Sequence, residues 1–393
     1  MRDAAAPAIT PRRAVWTLGV TQLVGYGCTS YLPATLAAAQ GKALGVSTAF
    51  IFGAFSGALL ISGLLGPVTG RAVDRHGARR PLAGGSIVLA LALTGMALSQ
   101  NVWQLVVAWL VLGAGMSLAL YDIAFAGLVG WFGLEARKSI TGVTLIAGFA
   151  STIAWPLTAW LETNFGWRQT ALVWAAANLL IALPLHLTLP SQAPRRGTKA
   201  DLPDEVAETP QPGVALQMIL LATALAVMAG IGSIMGAHLP PLLIGVGASA
   251  TAAVVAGMLV GPAQVAARLA EFALVRRIHP LVSARVAVAL FPLGAGLLLA
   301  FGPLAAAPFA ILYGAGNGLF TIVRGTLPLV LFGAQNYGGR LGALNVPARL
   351  VGAVAPLLFA LGLAKSEPWA LGVLIAACLL ALACLFALRK RTP

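Results

Sequence analysis

The chain has 393 residues, 59% of them apolar and 9% charged, with a formal net charge of +14. That balance excludes a soluble globular domain, in which about a quarter of residues are charged. With lipid as solvent, each backbone polar group must bond within its own element, and no alternating barrel-strand pattern appears, so helices are the expected spanning elements.

Apolar runs of ~20 residues predict helices near 14–38, 47–70, 81–100, 103–130, 140–162 and 169–190. A second set falls near 214–245, 248–275, 281–302, 305–332, 339–364 and 367–388. The expected fold class is an all-α membrane protein with twelve transmembrane helices in two pseudo-symmetric six-helix halves. The first apolar run follows a basic, proline-containing tail and lacks a small-residue cleavage site, so it reads as a retained helix rather than a signal peptide.

With the N-terminus inside, Arg12 and Arg13, Arg71 to Arg80, Arg137 and Lys138, Arg195 to Lys199, Arg340 and Arg389 to Arg391 all fall in cytoplasmic segments. Lys42, Arg168 and Lys365 face outward. This positive-inside skew predicts a multi-pass protein of the cytoplasmic (inner) membrane with both termini cytoplasmic. The basic balance is then topological and needs no nucleic-acid partner.

Residues 191–213, rich in Pro and mixed charge, read as a cytoplasmic linker between halves 1–190 and 214–393. The halves echo each other about two hundred residues apart. Gly113-Ala114-Gly115 recurs as Gly314-Ala315-Gly316, Gly66-Pro67 as Gly261-Pro262, and Phe132-Gly133 as Phe332-Gly333. Two such halves with a site between them are what alternating access requires.

Between the second and third runs lies Gly70-Arg71-Ala72-Val73-Asp74-Arg75-His76-Gly77-Ala78-Arg79-Arg80. Gly70 permits close helix approach, Asp74 can accept from arginines or a helix N-terminus, and Gly77 supplies a tight turn. The segment resembles the loop signature of the major facilitator superfamily, G-x-x-x-D-R-x-G-x-R-R. That resemblance implies a conformational latch made of Gly70, Asp74, Arg75, Gly77, Arg79 and Arg80.

A finer resemblance runs through Gly25-Tyr26, Tyr31-Leu32-Pro33, Trp131-Phe132, Thr141-Gly142, Phe165-Gly166-Trp167-Arg168, His238-Leu239-Pro240-Pro241 and Ala266-Ala267-Arg268. Over roughly residues 20–355 the chain is similar to the branch holding monocarboxylate porters and bacterial oxalate:formate antiporters. In that branch an Arg of span eight and a basic residue of span eleven clamp the carboxylates of a small anion. Arg268 and Arg349 occupy the matching positions.

The residues support this by themselves. Arg349 lies ~15 Å into span eleven at 1.5 Å per residue, near mid-bilayer. A buried charge is costly there and usually marks a pathway. Guanidinium forks pair with carboxylates in bidentate fashion. Arg268 has an alternative role as a latch residue paired with Glu271.

Arg324 in span ten departs from the branch, which favours aromatics there. Either the substrate carries more charge or Arg324 pairs with an acid, Asp122 being the obvious partner. Asp122 has a second reading in the loop latch. Asp122, Glu271 and His238 are the candidate proton-coupling or ion-pair groups. Tyr26, Tyr31, Tyr121, Tyr313 and Phe320 are candidate cavity residues, with helix packing as the alternative for each. Trp103, Trp167 and Trp369 read as interfacial anchors. Cys28, Cys378 and Cys384 read as small apolar residues.

No nucleotide-binding loop, metal cluster or hydrolytic triad is apparent. The expectation is a secondary active transporter of a mono- or dicarboxylate, antiporter or symporter, with no enzymatic activity and no cofactor. Its partners would be the anion, the bilayer, a proton or counter-anion, and no second subunit. The alternatives are an efflux carrier for drugs, metabolites or an inorganic oxyanion, and a non-transporting membrane sensor.

Overall fold

A computed structural model describes residues 9–191, 213–274, 278–363 and 366–388. Nearly all of the predicted linker 191–213, together with Lys365 and the basic residues 389–391, lies outside the described residues. Among the described residues there is no strand.

The helices follow the apolar runs. In the first half they are α1 (Pro11–Gly27), α2 (Leu32–Leu44), α3 (Thr48–His76), α4 (Arg79–Leu98), α5 (Val102–Ala119), α6 (Tyr121–Phe132), α7 (Ala136–Ala147), α8 (Ala150–Ala177) and α9 (Leu183–Leu187). The second half holds α10 (Val214–Gly245), α11 (Ala250–Leu274), α12 (Pro280–Phe301), α13 (Ala306–Phe332), α14 (Tyr337–Leu363) and α15 (Glu367–Ala387). Among the described residues, eight helical runs are long and apolar enough to cross a membrane. Two of them, over 102–187 and 280–332, are 86 and 53 residues long, enough for more than one crossing each. Such lengths are consistent with the predicted spans.

Helix starts are set by short polar side chains that accept otherwise unbonded N–H groups. Thr10, Ser47, Asn101 and Ser366 cap α1, α3, α5 and α15 in this way. Where a predicted span breaks, a local cause is visible. Pro33, placed in the first turn of α2, opens a new helix there rather than bending an old one. At Leu120 the backbone turns extended (φ −88, ψ −173), separating α5 from α6. Gln22 of α1 donates its amide to the Ala119 carbonyl at 2.7 Å, satisfying an acceptor next to that break. Gly166, at φ 79 and ψ 165, turns the chain inside α8 at the junction predicted between spans five and six.

By backbone contacts the chain forms two compact units. The first is residues 1–194 with Phe332–Ala343; the second is 195–331 with Leu344–Pro393. In lipid, helix association rests on packing rather than on transfer of apolar surface, so small residues matter most where helices meet. In the first unit Leu36, Ile51, Leu89, Leu93, Met96, Trp109 and Leu112 pack with Trp167 and Trp174. Trp167 is therefore no interfacial anchor. It is 6% exposed, with the Arg168 guanidinium 4.2 Å from its ring centre. Trp103 and Trp369 are exposed, as the anchor reading expects.

The repeated glycines do the same work in each unit. A Cβ on Gly113 would strike the Ala58 carbonyl of α3, and one on Gly314 would lie 2.5 Å from the Val260 carbonyl of α11. Gly115 similarly faces Leu89 of α4, and Gly316 the Ala287 carbonyl of α12. In the second unit Phe291 and Phe309 meet edge to face at 5.8 Å. Arg285 donates to the Leu385 carbonyl at 3.1 Å, a cation at the C-terminal end of α15.

Candidate functional site

Two polar constellations stand out against this apolar frame. The first is built where α3 ends. Asp74 accepts from the Gly338 N–H at 2.9 Å through Oδ1 and from the Gly339 N–H at 2.7 Å through Oδ2. These donors open α14, where N–H groups lack intrahelical partners and carry the positive end of the helix dipole. Such a terminus is a ready anion site, filled here by a side-chain carboxylate. Arg340 ties off the preceding turn, donating Nη1 to the carbonyls of Phe332 (2.8 Å) and Gln335 (3.0 Å).

The helices can come this close because their facing positions are bare. Gly66 and Gly70, one turn apart on α3, oppose Gly338 and Gly342, one turn apart on α14. A Cβ on Gly338 would sit 2.5 Å from the Gly70 carbonyl and 2.8 Å from Asp74 Oδ1. A Cβ on Gly70 or Gly342 would collide with backbone on the opposite helix. Gly77 (φ 80, ψ 166) ends α3 and returns its N–H to the Val73 carbonyl at 2.8 Å. Of the predicted latch residues, Gly70 and Asp74 lie at this close approach and Gly77 ends the helix beside it. Arg75 and Arg80 are exposed and Arg79 half-buried, with no hydrogen bond or ion pair found for them among the described residues. Sequence reading missed Gly338, Gly339 and Gly342 and took Gly66 only as part of the repeat. The signal was there, as G-x-x-x-G at 66–70 and at 338–342.

The second constellation surrounds Arg268 on α11, which is 5% exposed. Its Nε donates to the Gly318 carbonyl at 3.4 Å, and Nη2 to Gln264 Oε1 at 3.5 Å and Thr321 Oγ1 at 3.4 Å. All three acceptors are neutral and distant for a guanidinium, whose charge-assisted bonds to carboxylates run ≈ 2.7–2.9 Å. Nη1 is buried without a hydrogen-bond partner. Glu271, one turn away, takes its hydrogen bond from Ser283 Oγ at 2.8 Å.

α11 and α13 approach closely here, since a Cβ on Gly318 would lie 2.6 Å from the Gln264 carbonyl. Thr321, which accepts from Arg268, stands one turn before Arg324 on α13. Arg349 lies half-buried on α14 in the same unit. The bonds of Arg268 stay within α11 and α13.

Among the other candidates, Tyr26 and Tyr121 pair at 4.6 Å between ring centres, and Tyr121 stacks on Phe125 at 4.9 Å. Tyr31 precedes α2, half-buried, and Phe320 is buried on α13. Asp122 occupies the first turn of α6, directly after the break at Leu120, where a negative charge is favoured. His238 lies with Nε2 3.0 Å from the Pro356 carbonyl, linking α10 to α14 beside Phe359.

Comparison with known proteins places this framework. A family model for the Major Facilitator Superfamily matches residues 18–356. A curated relative, "Multi-drug resistance efflux pump PmrA homolog" of Lactococcus lactis subsp. lactis (strain IL1403), is 30% identical over 140 residues. That match covers 35% of this chain and about a third (33%) of the pump's length.

Solved structures share the fold over nearly the whole chain at low identity. The FucP transporter in its outward conformation, from E. coli, superposes with TM-score 0.76 at 13% identity, covering 96% of this chain and 99% of that one. The proton:xylose symporter XylE gives 0.72 at 16%, covering 95% of each chain. The human organic anion transporter MFSD10 gives 0.69 at 17%, covering 96% and 100%. A family match over most of the chain, joined to an all-helical membrane fold, establishes that this protein belongs to the Major Facilitator Superfamily of secondary transporters.

Proposed function

We propose that this carrier moves a small organic anion, a mono- or dicarboxylate, by alternating access, with both termini in the cytoplasm. One observation carries the reading. Arg268 is a buried guanidinium whose partners are all neutral, distant acceptors, with one nitrogen unbonded. Burying such a charge without a counter-charge costs several kcal/mol, and an arriving carboxylate would offset that cost in bidentate geometry. Arg349 is the second clamp in this reading, and Arg324 or Asp122 would tune the charge of the site. The resemblance to monocarboxylate porters and oxalate:formate antiporters agrees with it. Asp74 and the glycine pairs form the latch that holds one conformation.

Thermal-shift screening of the purified chain against small carboxylates tests this, followed by counterflow in proteoliposomes. Arg268→Gln should weaken the apparent affinity for any responding carboxylate by about tenfold or more, the worth of one charged hydrogen bond. Unchanged affinity in that variant would remove Arg268 from the site.

The 30% identical match to a multi-drug efflux pump homologue favours a second reading, export of drugs or metabolites. Protection of cells against cationic drugs, with no response to carboxylates in vitro, would select it.

A further inference from the structure

A groove lies on the first unit, on helix faces that the proposed transport site does not use. It opens between α4 and α5 with a volume of about 630 Å³, within the roughly 300–1,000 Å³ typical of small-ligand sites. Its floor is cut by small residues. Gly95 is exposed there, and a Cβ at that position would only just reach Ala108, at 3.9 Å. Its walls are exposed apolar side chains, Leu91 and Leu98 on one helix and Val107 and Val111 on the other.

The groove has a direction. From Leu91 to Leu98 it is apolar over about 10 Å of helix rise, most of the ~15 Å hydrocarbon depth of a single leaflet. At its far end the lining changes to Ser99, Gln100, Trp103 and Gln104. Beside that end stands a cation: Arg168 donates Nη2 to the Ser99 carbonyl at 2.8 Å. Arg168 does not itself line the groove, but its bond to Ser99, which does, sets a guanidinium with further N–H donors beside that end.

An apolar trough most of a leaflet deep, closing on amides and an indole beside a guanidinium, matches an amphiphile with a negative head. We propose that it is a binding site for one anionic phospholipid, the acyl chain running over Gly95 and the headgroup phosphate meeting Arg168. Unlike the lipid that coats any spanning helix, this molecule is selected by charge.

Native mass spectrometry of the full chain in detergent tests the site, using phosphatidylglycerol and phosphatidylcholine of identical acyl chains as probes. Phosphatidylglycerol should be retained at one per chain and about tenfold or more tighter than phosphatidylcholine. Arg168→Gln should bring the two lipids level. Gly95→Leu fills the trough from an exposed helical position where folding is favoured, and should reduce retention of both. Equal retention of the two lipids by the native chain overturns the proposal. So does a charge preference that survives in Arg168→Gln, or native-like retention in Gly95→Leu with helical content shown intact by circular dichroism.

Discussion

At the scale of single residues, Asp74 shows how much one carboxylate can organise. It accepts two backbone N–H groups that α14 leaves unbonded. Asp74→Asn removes the charge and turns an amide NH₂ toward one of those donors. The variant should lose roughly 1–3 kcal/mol, read as a lower unfolding temperature in detergent. In transport assays it should show slower turnover with substrate binding largely kept. Normal turnover would contradict the latch. Asp74 and Gly77 were legible in the sequence because their motif is contiguous. Their partners were not, because pairing residues more than 260 positions apart is a property of the folded chain. Arg268 was legible as a cation inside an apolar run, and Gln264 one turn before it follows from helix spacing. Thr321 and the Gly318 carbonyl reach it only through the packing of α11 on α13. Trp167 was misread for a related reason. Its neighbours look like a span end, yet its indole turns inward under Arg168.

At the scale of helices, small residues decide which faces meet. Gly113 on α5 and Gly314 on α13 press against carbonyls of α3 and α11, whereas nothing lies within 4 Å of a Cβ on Gly53 or Gly257. Alanine at 113 or 314 forces backbones apart and should cost about 1–3 kcal/mol. Alanine at 53 or 257 should be neutral or stabilising by up to ~1 kcal/mol, since helix propensity improves. Thermal unfolding of the four variants in one detergent separates the two classes. If all four behave alike, close approach is not what holds these pairs. The span pattern was largely legible because length and hydropathy alone specify it. The break at Leu120 was not, because it goes with the amide that Gln22 of a neighbouring helix offers to the Ala119 carbonyl.

For the molecule as a whole, the positive-inside skew makes a topological prediction. Gln100, between α4 and α5, and Lys138, in the first turn of α7, are both exposed and are predicted to face opposite sides, while Cys28, Cys378 and Cys384 are buried free thiols. A membrane-impermeant maleimide should therefore label Gln100→Cys on intact cells. Lys138→Cys should react only after permeabilisation, and the native chain hardly at all. Reaction of both engineered thiols from outside would overturn the orientation. The glycine seam between α3 and α14 carries a consequence for cycling. Where two helices touch through bare backbone, no rotamers are frozen when the surfaces join and none must be re-sorted when they part. In the proposed cycle such a clasp, held by geometry and one carboxylate rather than by interlocked side chains, would be released and remade at little entropic cost.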